Sequence, residues 1–453
     1  MIFCACARRA PTVASETSEE IFFDACETLV DARESSVSAE GSLDAVSEAR
    51  SSVWRRRNGR ASALACEQPR EGGGEEDAFH VMLERATRDM ELESRGGSFG
   101  ARARAFARAS KLLASSMLSG THVDLTSFVG TPIRWCARSS VLRTVTDAES
   151  SLGADATPRT IRFFDAARRA RDAPSRRDRC ARVCLALIAD SEPPASLRKP
   201  LNPILGETAM HSVVFDDSTN ERFSAVWEQV THHPPVSANF ASGAGISVSG
   251  EVRPRPHLVG AHIEVALEGY LNVTLDDLAE TYECDLADFE WRFLPRWHAR
   301  MKRGVTWRVR CAQTGYRAEF AYGSNRSVKG AIYGPSGELE CEISGRYDGK
   351  VVVTSRDGIV ATYDFTQTKS LRAHIVRHTI LTDEYDTEVV WRECFAAMEA
   401  KKWEEARIAK RRVEEREREK RRRGEKFTPR FFTRDERSGR WVRNNRHRGT
   451  VAA

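Results

Sequence analysis

The chain has 453 residues, of which 30% are charged and 41% hydrophobic, and its formal net charge is +5. This length accommodates one large domain or two to three average ones, and the composition is typical of a globular protein with a polar bias. No apolar stretch approaches the ~18 residues that a membrane-spanning helix requires. The sequence therefore predicts that any contact with a membrane is peripheral.

The 11 cysteines are scattered, and their odd number argues against a disulfide framework. Cys180 and Cys184 lie in an arginine-rich, helix-like segment, and no further Cys or His cluster completes a zinc site. We therefore expect reduced thiols, no metal and no cofactor, as in a cytosolic protein. The N-terminal apolar run in MIFCACARRA is too short for a signal peptide.

The charge is unevenly distributed along the chain. Residues 16–48 are acidic and serine-rich, whereas residues 401–448 are strongly basic, which predicts separate interaction surfaces. Residues 1–103 are rich in Ser, Glu, Ala, Gly and Arg, with a linker-like EQPREGGGEEDA. They carry too little clustered apolar surface to offset chain entropy, so this region is predicted to be mostly disordered.

Predicted helices flank a long strand-like region. Amphipathic periodicity predicts helices in ARAFARASKLLASSML, IRFFDAARRARDA and RDRCARVCLALIAD. Residues 388–423 also favour helix. This stretch is apolar at first, with Trp391, Phe395 and Met398, and then nearly all charged.

Residues 210–365 alternate between apolar and polar side chains in short runs separated by Gly, Pro and Asn turns. The alternating apolar positions include Ile263, Val265, Leu267, Val305, Trp307, Val309, Leu339, Cys341 and Ile343. This pattern predicts a large antiparallel sheet or barrel. The expected fold class is mostly β with flanking helices (α+β).

Two proline-stiffened segments carry candidate binding residues. In EQVTHHPPVSANF, residues 228–240, two prolines follow His232 and His233 and hold both imidazoles on a stiff, extended backbone. In RKPLNPILGET, residues 198–208, Lys199 and Asn202 stand among prolines and apolar residues. A rigid segment with a cation and an amide suits an anion held at fixed geometry.

A basic helical segment, AKRRVEEREREKRRR, adds a third group of polar residues. Lys410, Glu414 and Arg418 are spaced at i, i+4 and i+8, which places them on one helical stripe about 12 Å long. An Arg positioned by a neighbouring Glu forms a good fork for phosphate. Alone, such a helix is more often a solvated charged face.

These three motifs together resemble the oxysterol-binding-protein-related lipid-transfer family. The resemblance rests on KPLNPILGE, EQVTHHPP and the K-x-x-x-E-x-x-x-R helix, and it runs from about residue 104 to about 443. It implies an incomplete antiparallel β-barrel that encloses a lipid tunnel, with an N-terminal lid over about 104–140 and a C-terminal charged helix. The lipid-binding domain would cover residues 104–445, followed by a tail over 446–453.

The resemblance also implies a ligand. Many family members exchange a sterol or phosphatidylserine against phosphatidylinositol 4-phosphate between membranes. The chain would then be an intracellular lipid-transfer protein that makes peripheral contact with anionic membranes, and not an enzyme. The implied headgroup residues are Lys199, Asn202, His232, His233, Lys410, Glu414 and Arg418, with Leu201 against the glycerol and acyl region.

A bound phosphate dianion would favour the charged form of both imidazoles and raise their pKa. We therefore expect tighter headgroup binding below about pH 6.5. Where the family usually has a tryptophan, in ISGRYDG, this chain has Tyr347. The identity of the second lipid stays open.

IFFDACE, residues 21–27, is similar to the FFAT motif, which binds VAP proteins of the endoplasmic reticulum. This resemblance implies a VAP-type partner and a location at endoplasmic-reticulum contact sites. Ile21 replaces the usual acidic first residue, and a nascent amphipathic helix or a chance match are the alternatives. The matching contact positions are Phe22, Phe23, Asp24, Ala25 and Glu27.

Three other functions remain open at this point. A sensor or tether would bind the same lipid but transfer little of it. An enzyme would use one of the two histidines as nucleophile or base, but the sequence has no metal ligand set and no nucleotide-binding glycine motif. Nucleic-acid binding by the basic helix would fall steeply with salt and survive loss of His232 and His233. No nucleic-acid partner is expected.

Overall fold

The computed structural model describes residues 123–124, 133, 136–143, 157–191, 199–259, 262–292 and 298–444. The predicted disordered region, the FFAT-like segment and the predicted tail lie outside these residues, as does most of the predicted lid. Those predictions therefore stay predictions. No helix within the described residues is long and apolar enough to cross a membrane.

The described part of the chain is built mainly from strands. In chain order they are β1 Val123–Asp124, β2 Cys136–Ser140, β3 Lys199–Leu201, β4 Thr208–Phe215, β5 Arg222–His232, β6 Pro235–Gly243, β7 Ile246–Val259, β8 His262–Leu275, β9 Glu280–Cys284, β10 Phe289–Arg292, β11 His298–Met301, β12 Thr306–Cys311, β13 Arg317–Tyr322, β14 Ser327–Tyr333, β15 Leu339–Arg346, β16 Lys350–Ser355, β17 Gly358–Asp364, β18 Ala373–His378, β19 Phe432–Arg434 and β20 Trp441–Arg443. The helices are α1 Arg159–Arg171, α2 Arg176–Asp190, α3 Thr387–Val390, α4 Arg392–Glu399 and α5 Trp403–Arg422, with 3-10 turns at Asp276–Leu278, Ser324–Arg326 and Phe365–Ser370.

Sixteen of the described strands form one antiparallel sheet. Its main path runs β17-β16-β15-β14-β13-β12-β9-β8-β7-β6-β5-β4-β18, while β1, β10 and β11 pair off this path. A twisted sheet of this size is expected to curl. Within the described residues no pairing joins β17 to β18, so the barrel is incomplete, and the predicted fold class is confirmed.

Helices α1 and α2 pack together and against the sheet. The hydroxyl of Ser175 caps α2 by accepting a hydrogen bond from Asp178 N–H at 3.0 Å. From α1, Phe164 stacks on Phe223 of β5, with 4.5 Å between the ring centroids. Both helices contribute buried residues to the largest apolar core. They lie where the amphipathic pattern predicted them.

The predicted strand alternation is observed in β12 and β15, where Trp307, Val309, Cys341 and Ile343 are buried. Leu339 is the exception, because it starts β15 and is half exposed. Tyr347 is buried edge-on against another core tyrosine at 5.5 Å, so a tyrosine fills the position that is usually tryptophan.

The predicted helix over residues 388–423 is interrupted. α4 ends at Glu399, and Lys401 has a positive φ of 55° that turns the chain into α5. Trp391, Phe395 and Met398 are buried, as their apolar character predicted, in a second core cluster between α4, α5 and β3. After α5, the hairpin of β19 and β20 packs on the opposite face of β5 and β6 from α1 and α2.

Candidate functional site

The predicted Lys199–Asn202 segment is placed by an unusual strand pair. Cys136 of β2 pairs with Lys199 of β3 in parallel, next to α4. The ammonium group of Lys199 donates a hydrogen bond to Asn202 Oδ1 at 2.7 Å, so the predicted cation and amide are in contact. Leu201 is buried in the second core cluster beside them, and its contact with a lipid stays a prediction.

Glu207 holds the Lys199–Asn202 segment in place through hydrogen bonds. Its carboxylate accepts hydrogen bonds from Ile204 N–H (3.0 Å), Thr387 Oγ1 (2.9 Å) and Trp391 Nε1 (3.0 Å). The residue is fully buried, and burial raises its pKa to about 7. One buried carboxylate thus ties the Lys199–Asn202 segment to α3 and to Trp391 at its end. Sequence reasoning did not assign Glu207 a role, because a single Glu beside a glycine carries no signal of its own.

Gly206 is required by the same packing. It has a positive φ of 84°, and a Cβ at this position would lie 2.6 Å from the ring of Phe427 and 3.0 Å from that of Tyr385. A side chain at position 206 would therefore strain the turn from the Lys199–Asn202 segment into β4.

Most of the EQVTHHPP motif positions its two histidines. Glu228 is buried and accepts hydrogen bonds from the backbone N–H groups of Arg430 (2.8 Å) and Phe431 (2.9 Å). Thr231 Oγ1 donates to the carbonyl of Pro234 at 2.6 Å and closes the turn. Residues of the motif outside the histidine pair therefore have structural roles, because their contacts fix where β5 ends.

His232 and His233 lie together at the β5–β6 turn, with ring centroids 4.7 Å apart and planes at 76°. Within the described residues, His232 Nδ1 is buried without a hydrogen-bond partner. Burial, then His233 and Arg421, lower the pKa of His232 below its usual value, while the carbonyl of Pro203 and Glu414 act the other way. Burial and Arg421 also lower the pKa of His233. Neutral, partly desolvated imidazoles are therefore expected in the free protein.

Helix α5 brings the predicted Lys410 and Glu414 to the Lys199 segment. Lys410 Nζ lies 2.5 Å from Glu414 Oε1. Burial lowers the pKa of Lys199; Cys136 opposes this shift, Lys410 adds to it and Glu414 opposes it. Two ammonium groups and one carboxylate therefore share a partly buried space.

The arginine that faces the histidines is Arg421, which the sequence analysis did not select. Arg418 pairs with Glu415 at 3.1 Å, and its contact with a headgroup stays a prediction. Within the described part of the chain, Arg421 has no carboxylate partner. At ~100° per residue, Arg421 lies about 20° from Lys410 around the helix axis, whereas Arg418 lies about 80° away. A wheel projection of α5 could have identified it.

A second polar cluster has ligand-like spacing but its charges are neutralised. His262, Glu264 and Glu290 place one donor atom each within 4.8 Å of one another. Lys302 pairs with Glu264 at 2.8 Å and Arg300 pairs with Glu290 at 2.8 Å. We assign this cluster to the pairing of β8, β10 and β11.

An incomplete barrel with a cationic cluster beside its strand ends defines a class of ligand-binding barrels. The family model described as Oxysterol-binding protein matches residues 160–449, and the chain belongs to this family. The family predicted from the three motifs is confirmed.

Curated relatives agree with this assignment. Oxysterol-binding protein-related protein 4C of Arabidopsis thaliana is 31% identical over 255 residues, which cover 52% of this chain and 65% of the relative. Oxysterol-binding protein-related protein 8 of Homo sapiens is 27% identical over 266 residues, covering 55% of this chain and 30% of the relative. The chain thus spans less than two thirds of either relative.

Solved structures share the fold. The Osh1 ORD domain in complex with cholesterol aligns with a TM-score of 0.55 at 20% identity, covering 73% of this chain and 86% of that chain. The Osh3 ORD in complex with PI(4)P, from Saccharomyces cerevisiae, aligns with a TM-score of 0.53 at 18% identity, covering 70% and 86%. At these identities the likeness establishes the fold.

Proposed function

We propose that this protein binds phosphatidylinositol 4-phosphate and exchanges it against a second lipid, a sterol or phosphatidylserine, between membranes. The observation that carries the proposal is a pair of cationic centres along α5. One contains Lys199 and Lys410, and the other contains the two histidines and Arg421. Lys410 and Arg421 are eleven residues apart, or about 16 Å along the helix.

Two separated centres suit a ligand with two phosphates. Phosphatidylinositol 4-phosphate carries a phosphomonoester on the ring and a phosphodiester to glycerol. His232, His233 and Arg421 would donate hydrogen bonds to the phosphomonoester. Its dianion attracts positive charge more strongly than the singly charged phosphodiester does. Lys199 with Asn202 would hold the phosphodiester, and Lys410 with Glu414 would contact ring hydroxyls.

The ligands bound in the similar structures support this choice of lipids. One is bound to PI(4)P and another to cholesterol. For the present chain, phosphatidylserine remains the alternative second lipid. A tunnel would lower the barrier to lipid desorption by replacing bilayer contacts with apolar side chains.

The FFAT-like segment at residues 21–27 would locate this exchange at endoplasmic-reticulum contact sites. Its acidic neighbours would steer it toward a basic surface on a VAP-type partner. Transport would then require binding to one membrane while the N-terminal region holds another.

Binding of glycerophosphoinositol 4-phosphate, a soluble molecule with both phosphates, tests the proposal without a membrane. Calorimetry should show binding by the wild type and at least about tenfold weaker binding by Lys199→Ala and by a His232→Ala, His233→Ala double variant. Arg416→Ala is the matched control, because Arg416 is exposed and lies about 120° from Lys410 around the axis of α5.

The same experiment can also contradict the proposal. Equal affinity for glycerophosphoinositol, which lacks the 4-phosphate, would remove the role assigned to the histidines. A protein that binds the headgroup but transfers no lipid between vesicles would be a sensor or tether instead.

A further inference from the structure

The loop between β18 and α3, residues 379–386, presents two adjacent aliphatic side chains to solvent. Leu381 is 69% exposed and Ile380 is 37% exposed. The other large apolar side chains that are exposed within the described residues have no exposed large apolar neighbour in sequence. An exposed pair of this kind is a candidate contact surface.

The loop is held in a fixed shape. Ile380 N–H donates to Asp386 Oδ2 at 3.0 Å, and Asp383 N–H donates to the carbonyl of Ile380 at 2.9 Å. Arg430 anchors the turn through Asp383 at 2.9 Å. The two aliphatic side chains are therefore presented by a rigid turn.

This turn lies beside the candidate headgroup site. Thr208 N–H donates to the carbonyl of Tyr385 at 2.8 Å, directly after the Lys199 segment. Lys420 Nζ lies 5.1 Å from the centroid of the Tyr385 ring. The next residue, Arg421, is the one that faces the two imidazoles.

The end of α5 adds positive charge to the same edge. The segment 420–426, KRRRGEK, has five cationic side chains and one carboxylate. Some of this charge is compensated, since Lys420 pairs with Glu417 (3.1 Å), Arg422 with Glu415 and Arg423 with Glu425 (3.1 Å). Among the described residues, Arg421 and Lys426 have no carboxylate partner.

We propose that residues 379–386 insert Ile380 and Leu381 into the surface of an anionic bilayer while residues 420–426 contact its headgroups. This docking surface rests on the proposed function, because it would bring the headgroup site to the lipid that the site extracts. A bilayer is the fitting partner because apolar burial and attraction to anionic lipids act together there. Two side chains are too small an apolar area for a stable protein interface.

The acidic residues of the loop are consistent with this orientation, with one exception. Asp383 is neutralised by Arg430, and Asp386 is buried. Glu384 is exposed and would repel anionic lipids. Glu384→Gln should therefore strengthen vesicle binding by about twofold to fivefold.

The direct test is co-sedimentation of the full chain with phosphatidylcholine–phosphatidylserine vesicles that contain no phosphoinositide. An Ile380→Ser, Leu381→Ser double variant should bind about tenfold more weakly than the wild type, which corresponds to about 1.4 kcal/mol. Ile359→Ser is the matched control, because Ile359 is 70% exposed on β17, at the other edge of the sheet's pairing order. It should bind like the wild type.

Unchanged vesicle binding by the double variant, or an equal loss in Ile359→Ser, would overturn the docking surface. Wild-type binding that is as strong on pure phosphatidylcholine would overturn the role of residues 420–426. Glycerophosphoinositol 4-phosphate binding should be unchanged in the double variant. If the wild type fails to bind that soluble headgroup, the proposed function fails while the vesicle result still decides the docking surface.

Discussion

Arg418 and Arg421 are three residues apart on α5 but have different surroundings. The i, i+4, i+8 pattern selected Arg418, whereas the ion pair of Arg418 is with Glu415 and the residue that faces the imidazoles is Arg421. A spacing of i, i+4 and i+8 selects one residue from each successive turn of the helix. The angle around the axis also decides which residue reaches a neighbour, and that angle favours Arg421.

Substitution of these arginines separates the two assignments. We expect Arg421→Ala to weaken binding of glycerophosphoinositol 4-phosphate by about tenfold or more, since hydrogen bonds to charged groups contribute about 1.5–3 kcal/mol. Arg418→Ala should change the affinity less than about twofold, because its exposed ion pair is worth little. Calorimetry of both variants gives the answer, and a larger loss of affinity in Arg418→Ala would assign the headgroup contact to Arg418 and contradict the assignment to Arg421.

The histidine pair predicts a pH dependence whose sign follows from its surroundings. In the free protein the pKa of both imidazoles is lowered, whereas a bound dianion raises it, so binding takes up protons. Affinity should therefore rise as the pH falls. The rise begins near the pKa of the imidazoles in the bound protein and ends near their pKa in the free protein, which lies below 6.5.

This pH dependence can be measured as headgroup affinity from about pH 8 to about pH 6. The phosphate itself has a pKa near 6 and acts in the opposite direction, so the His232→Ala, His233→Ala variant supplies the reference curve. A wild-type curve parallel to that of the variant would mean that the imidazoles do not contact the phosphate.

Among the elements, the segment from β3 to β4 depends most on a single side chain. Glu207→Ala would leave the buried donors at Ile204 and Trp391 without an acceptor, which should lower the free energy of unfolding by about 3 kcal/mol. The hydroxyl of Thr387 would keep its second acceptor, the carbonyl of Thr208. Glu207→Gln can keep an acceptor for the two N–H donors and donate to the threonine hydroxyl, so it should cost far less. Chemical denaturation of both variants measures the difference.

The same residue sets a pH dependence of stability. Its pKa in the folded chain is raised to about 7 from 4.5, so its contribution to stability is lost as pH rises between these values. The free energy of unfolding should fall less over this range in Glu207→Gln than in the wild type. Identical slopes would assign the pH dependence to other groups.

Element boundaries show what the sequence could and could not predict. α1, α2 and the buried residues of α4 follow from periodicity, because local pattern determines which face is buried. The break at Lys401 and the parallel pairing of Cys136 with Lys199 could not be predicted. The first is a left-handed residue with no glycine to mark it, and the second joins segments far apart in sequence.

At the scale of the whole molecule, the incomplete barrel was predicted from alternation and from three short motifs together. The candidate headgroup residues come from β3, the β5–β6 turn and α5, which only the folded chain brings together. The sequence identified the residue types of this site because prolines stiffen two of its three segments. It could not identify the positioning roles of Glu207 and Glu228, since a buried carboxylate looks like any other in sequence.

The FFAT-like segment gives a prediction that is independent of the barrel. A Phe22→Ala, Asp24→Ala variant should lose binding to a VAP domain, because it removes an aromatic anchor and an acidic contact. Its affinity for glycerophosphoinositol 4-phosphate should be unchanged. Calorimetry with each ligand separates the two effects, and retained VAP binding would contradict the role of residues 21–27.

We propose that the histidine pair and its cationic neighbours hold a lipid phosphate while the barrel takes up the lipid. Extraction of phosphatidylinositol 4-phosphate from liposomes tests it most directly, with the wild type beside the His232→Ala, His233→Ala variant. We predict extraction by the wild type and its loss in the variant, with an unchanged unfolding transition. If the wild type extracts no lipid, or if a folded variant extracts as much as the wild type, the histidine pair does not hold the lipid phosphate.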